Sequence, residues 1–158
     1  MKLPTILVIN GLLQYQTMLP VPMPTPTSLL VNDLRAQGFR VVEDTHLVWS
    51  HGDEEPVIVM GHSRGGGAAL RFAERQKKAA KYEPMVITFD AVPVMKCPVA
   101  RCVNFQSKEY RLLSIPGAQN IDADLPFLPL VSHSYMPLSP HVRARVRKFA
   151  EPFAKGMQ

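Results

Sequence analysis

The chain has 158 residues, 46% apolar and 20% charged, which excludes a disordered protein; a chain this long buries about 70% of the surface it exposes when unfolded and forms one domain over 1–158. Its apolar runs are too short to span a bilayer. The net charge of +5 raises nucleic acid as a partner, but Arg71, Arg75, Lys77, Lys78 and Lys81, then Arg143, Arg145, Arg147 and Lys148, fall on helix faces with no aromatic side chains between them to stack on bases. A solvated helix surface accounts for them, and no nucleic-acid partner is expected.

Thr5 to Ile9 reads as a strand. Lys2 ahead of an apolar run gives Met1 to Leu13 the outline of a signal peptide, but Pro4 and Asn10-Gly11 interrupt it and no small-x-small cleavage site follows, so the chain reads as cytoplasmic. Leu12 to Thr27 holds four prolines and two methionines beside Leu13, Leu19 and Val21; it cannot be helical throughout, and it is placed to cover the mouth of a site. Ser28 to Gln37 reads as a helix with Ser28 as N-cap, a stripe of Leu30, Val31 and Leu34, and Gly38 as its end.

Arg40 to Val42 and Pro56 to Met60 read as further strands. The second turns abruptly through Gly61-His62-Ser63-Arg64-Gly65 into a helix predicted over Gly66 to Lys81, whose small first turn can pack closely on a sheet. Two glycines flanking a serine between strand and helix have the pattern of a nucleophile elbow: the bend is too tight for side chains at those positions, and it lifts the serine hydroxyl to the top of the sheet. Strands follow at Met85 to Phe89 and Cys102 to Phe105. Cys97 and Cys102 fit neither a zinc pair nor a redox C-x-x-C motif and read as free thiols. Leu112 to Ser139, with Pro116, Pro126, Pro129 and Pro137, reads as irregular apart from a short final strand near Leu112 to Ile115. The last helix, Pro140 to Phe149, has Ser139 as N-cap and Pro140 at its first position. Strands alternating with helices predict a three-layer α/β sandwich around a mainly parallel sheet.

Ser63 needs a base, and there are five histidines. His62 precedes the serine and is expected to point away from it; His46 and His51 lie upstream, and His141 falls in the first turn of the last helix, a surface or capping place. His133 remains, in the loop Val131-Ser132-His133-Ser134-Tyr135. A histidine base needs a carboxylate on its other nitrogen. Asp90, closing a strand at the edge where Ser63 emerges, is the expected acid, with Glu109 past the next strand as the alternative; Asp122 or Asp124 would require the chain to fold back. On an elbow the oxyanion donors are backbone N–H groups, here those of Arg64 and of the loop at Gly11-Leu12, with Leu12 as the assigned residue.

With strand, elbow, histidine segment and last helix in this order, the chain resembles the α/β-hydrolase superfamily, in particular its small thioesterase- or lipase-like members. The order Ser63, Asp90, His133 is that superfamily's order of nucleophile, acid and base. The resemblance implies a minimal α/β-hydrolase fold lacking the usual N-terminal strands and a lid. It also implies a serine hydrolase acting on a small-molecule carboxylic ester or thioester of short or medium acyl length, with no cofactor or metal. A catalytically inactive binding or interaction module on the same scaffold is the alternative.

Overall fold

A computed structural model describes residues 2–11, 26–46, 54–79, 82–123, 125 and 129–154. The runs Thr5–Asn10 (β1), Ile58–His62 (β3), Met85–Phe89 (β4) and Cys102–Gln106 (β5) are buried at every position, as parallel strands covered on both faces must be. Arg40–Thr45 (β2) and Gln119–Asp122 (β6) are the half-exposed edges. The sheet has the order β2-β1-β3-β4-β5-β6, and every neighbouring pair is parallel.

From β1 the chain moves outward to β2, then jumps back across β1 to β3 and continues the other way. Right-handed crossovers running in opposite directions put their helices on opposite faces. Leu30, Val31 and Leu34 of Ser28–Ala36 (α1) accordingly pack with Ile6, Val8, Ile58 and Met60 on one face, where Val142, Val146 and Ala150 of the last helix, Pro140–Ala154 (α4), join them. Arg64–Lys78 (α2) packs Ala69, Leu70 and Ala73 against Leu7, Ile9 and Val59 on the other. Outside the α1–α4 seam, Arg143 grips Asp33 with two bonds of 2.7 and 2.9 Å.

The first five expected strands, the Leu30–Val31–Leu34 stripe and the capping of α4 by Ser139, whose Oγ accepts from the Val142 N–H at 3.5 Å, are present. Several expectations are corrected. Residues 112–115 are not a strand: Lys108–Leu113 forms a 3₁₀ helix, and the final strand is β6. β6 holds a single apolar residue, Ile121, and is zipped on by side chains instead, Asn104 to Asn120 at 3.1 Å and Gln106 to Asp122 at 2.9 Å. His133 is not in an irregular loop but in a short helix, Pro129–Tyr135 (α3). Residue 27, not Ser28, is the N-cap of α1, and the Thr27 hydroxyl donates to Asn10 Oδ1 at 2.7 Å. Cys97 and Cys102 are not free thiols; they form a disulfide with Cα atoms 6.1 Å apart, because the β4–β5 crossover bends back onto the start of β5. Among the described residues, no helix is long and apolar enough to cross a membrane.

Candidate active site

In an open parallel sheet the connections leaving β1 and β3 diverge toward opposite faces, and the crevice they leave lies at the carboxyl ends of those strands. Gly11 follows β1 and Ser63 follows β3 at this edge, while Asp90 and Ser107 follow β4 and β5.

Ser63 sits at φ 56° and ψ −123°, a conformation that costs a non-glycine residue about 1–3 kcal/mol and persists only where its surroundings dictate it. They do. Its N–H donates to Phe89 O at 2.9 Å, and its carbonyl accepts from Gly66 N–H at 2.9 Å and Val92 N–H at 3.0 Å. The two glycines of the elbow are spatial necessities: a Cβ at Gly61 would lie 2.0 Å from Gly65 O, and one at Gly65 would lie 2.0 Å from Ile9 O. Gly11 is also tightly placed, with a Cβ there falling 2.8 Å from His62 O and 3.2 Å from both Arg64 N and the Ser63 Cβ. Gly11 therefore lies against the backbone N–H of Arg64, the first of α2, which has no acceptor within the helix. The side chain of Arg64 itself is exposed, so its backbone is what faces the elbow. Leu12 lies outside the described residues.

Asp90 is fully buried, at φ 45°. Its Oδ1 accepts from Ser107 N–H and its Oδ2 from the Ser107 hydroxyl, both at 2.7 Å, and Oδ2 also meets His133 Nδ1 at 3.0 Å. The expected acid–base pair is thus in contact. Glu109 is exposed on the 3₁₀ helix, and Asp122 is engaged by Gln106 and Arg111; neither meets His133. Asp124 and His51 lie outside the described residues, and His141 is exposed at the start of α4 as expected.

With Nδ1–H directed at Asp90, Nε2 of His133 is the ring's acceptor nitrogen, the tautomer that a histidine base would need. Its ring is pinned on two sides, stacked on Tyr110 at 4.8 Å with 8° between planes, and against His62 at 4.9 Å. The Ser63 hydroxyl forms no hydrogen bond among the described residues. Its link to His133 rests on shared position: Ser63 is bonded to the last residue of β4, one before Asp90, and His133 lies against the residue that precedes Ser63.

No family model, curated protein or solved structure matches this chain. The geometry alone carries the reading of the site. Among the described residues, no group of three His, Cys, Asp or Glu side chains is arranged to hold a metal ion.

Three participants were not singled out as partners of the site from sequence. Ser107 had a signal, since it follows β5 one strand over from Asp90. Tyr110 had none, because its 3₁₀ helix was not predicted. His62 donates from Nε2 to the carbonyl of His133 at 2.6 Å, and its signal was Pro137, four residues beyond His133. A helical carbonyl normally accepts from the N–H four residues on, and proline has none.

Proposed function

We propose that this chain is a serine hydrolase of the small α/β-hydrolase type, cleaving a carboxylic ester or thioester through an acyl-enzyme on Ser63. The observation that carries this is the contact of buried Asp90 with His133 at 3.0 Å, at the sheet edge where Ser63 is held at φ 56°.

In this reading His133 Nε2 removes the Ser63 proton as Oγ attacks the acyl carbon, and Asp90 stabilises the imidazolium so formed. The tetrahedral oxyanion is held by backbone N–H groups, that of Arg64 and one from the turn at Gly11-Leu12, each worth about 3 kcal/mol in the transition state. His133 then returns the proton to the leaving alcohol or thiol. Water, activated by the same histidine, releases the acid and regenerates Ser63.

That the Ser63 hydroxyl has no hydrogen bond among the described residues favours the second reading, a binding module that retains the scaffold without its chemistry. Catalytic hydrogen bonds commonly close only with substrate present, so reactivity discriminates the two. A fluorophosphonate should label the wild type at Ser63 and leave Ser63→Ala unlabelled, and that substitution should lower ester turnover on the order of 10⁶-fold. A wild type inert to the probe and to a panel of esters and thioesters of graded length is the outcome of the binding reading. Compartment follows from the cysteines: a disulfide intact in the native host belongs to an oxidising space, and a reduced pair to the cytoplasm. Thiol titration of freshly isolated protein reads which.

A further inference from the structure

We propose that His62 is a positioning residue, whose Nε2–H donated to the carbonyl of His133 fixes where α3 delivers the base. The inference rests on the serine-hydrolase reading of Ser63, Asp90 and His133.

α3 is seven residues long, too short to be stable on its own propensity. His133 lies in its final turn, where carbonyls lack intrahelical partners, and Pro137 removes the N–H that a continuing helix would offer. The His62 bond of 2.6 Å fills that vacancy from the rigid end of β3, one residue before the nucleophile. Asp90 fixes the rotation of the imidazole and Tyr110 fixes its plane. Neither holds the backbone from which the ring hangs. His62 couples that backbone to the same strand end that sets Ser63, so nucleophile and base share one reference point.

The charge state of His62 suits this role. The ring is almost fully buried, and desolvation, aided by repulsion from a protonated His133, pushes its pKa down to about 4, against smaller opposing effects of the bond to the His133 carbonyl and of Asp90. Two imidazoles 4.9 Å apart would resist both being charged. Burial keeps His62 a neutral donor throughout turnover.

Amide and apolar replacements separate reach from bulk. His62→Gln places an amide N–H near the former Nε2; His62→Asn has the same group but falls short; His62→Phe keeps volume without a donor. With a p-nitrophenyl ester, we expect Asn and Phe to lower kcat about tenfold, the scale of one lost hydrogen bond, with KM within about twofold, and Gln to restore kcat to within about threefold of wild type. Equal kcat in wild type and His62→Phe, or equal loss in folded Gln and Asn variants, overturns the proposal. Imidazole nitrogen NMR supplies a readout independent of turnover. The His133 Nδ1–H shared with Asp90 should give a resolved resonance in wild type and His62→Gln that broadens away in folded His62→Asn or His62→Phe; its persistence in all four overturns the proposal even in a wild type that hydrolyses nothing. Inertness of wild type with the NMR pattern intact rejects the hydrolase reading and keeps the positioning one.

Discussion

On the α2 face of the sheet, Ser63 is set by backbone meeting backbone: Gly61 against Gly65, Gly65 against Ile9, and Gly66 and Gly67 against Ala91, Val92 and Pro93, with a Cβ at either of the last two glycines falling within 2.6 Å of its nearest neighbour. On the α1–α4 face, His133 is delivered by a short helix whose continuation, Met136, is buried among Leu30, Leu34, Val142 and Val146. The first face has no slack, because nothing flexible lies between the elements. The second is upholstered with large side chains that can shift by fractions of an ångström, and it is closed by the Asp33–Arg143 ion pair and by single bonds such as that from His62. Ser63 is therefore fixed by sterics and His133 by tethers. Damage to the first face should be all-or-none, and damage to the second graded.

Gly65→Ala is the sharpest way to break this contrast. Its methyl carbon would lie 2.0 Å from Ile9 O, a backbone atom that cannot rotate aside, so the variant should lose more than about 4 kcal/mol of stability, beyond the range of ordinary substitutions. Thermal unfolding or soluble yield measures this, and a normally folded Gly65→Ala protein contradicts the contact.

Asp90→Asn comes next, and tests the tether on His133. It should fold, since Ser107 can still bond to the amide, but present the wrong tautomer at His133 and lose about 10⁴-fold in kcat, the size seen when a triad aspartate is so changed. Glu109→Gln, on the exposed 3₁₀ helix, should stay within a few-fold of wild type in the same assay.

Acid sharpens the comparison in stability. A histidine held near pKa 4 in the folded state, against 6.5 unfolded, leaves the unfolded chain binding more protons between those values. Stability then falls as pH drops from about 6.5 to about 4, by roughly 3 kcal/mol, with no contribution from His62 above that window. Denaturant unfolding at several pH values should show the slope, and His62→Phe should flatten it. Below this window Asp33 takes over, because its bonds to Arg143 hold its carboxyl under the usual value of 3.8 and that contribution disappears on protonation.

Asp33→Ala is the mildest change. It removes a bidentate pair whose side chains are only 15% and 21% exposed, and should cost about 1–3 kcal/mol in a melt while leaving the labelling of Ser63 intact.

What could be read from the chain divides along the same line. The elbow was legible because its requirement is steric: only glycine fits at Gly61 and Gly65, and the spacing announces it. β1, β3, β4 and β5 were legible as apolar runs because both their faces are buried. β6 was not, since Asn120 and Asp122 are held by side-chain bonds to β5, for which periodicity carries no signal. The disulfide escaped because sequence separation does not say where a crossover bends. For Asp90 against Glu109, the two carboxylates are alike in sequence and differ only in which one the sheet register sets beside His133. The tethers Ser107, Tyr110 and His62 depend on three-dimensional proximity, although Pro137 left a trace of the last.

The central claim is that Ser63 is a nucleophile activated by His133. Intact-mass and peptide mapping after fluorophosphonate treatment test it most directly. A single adduct should appear on Ser63, slow sharply in His133→Ala and vanish in Ser63→Ala; no adduct, or one that forms equally fast without His133, would contradict it.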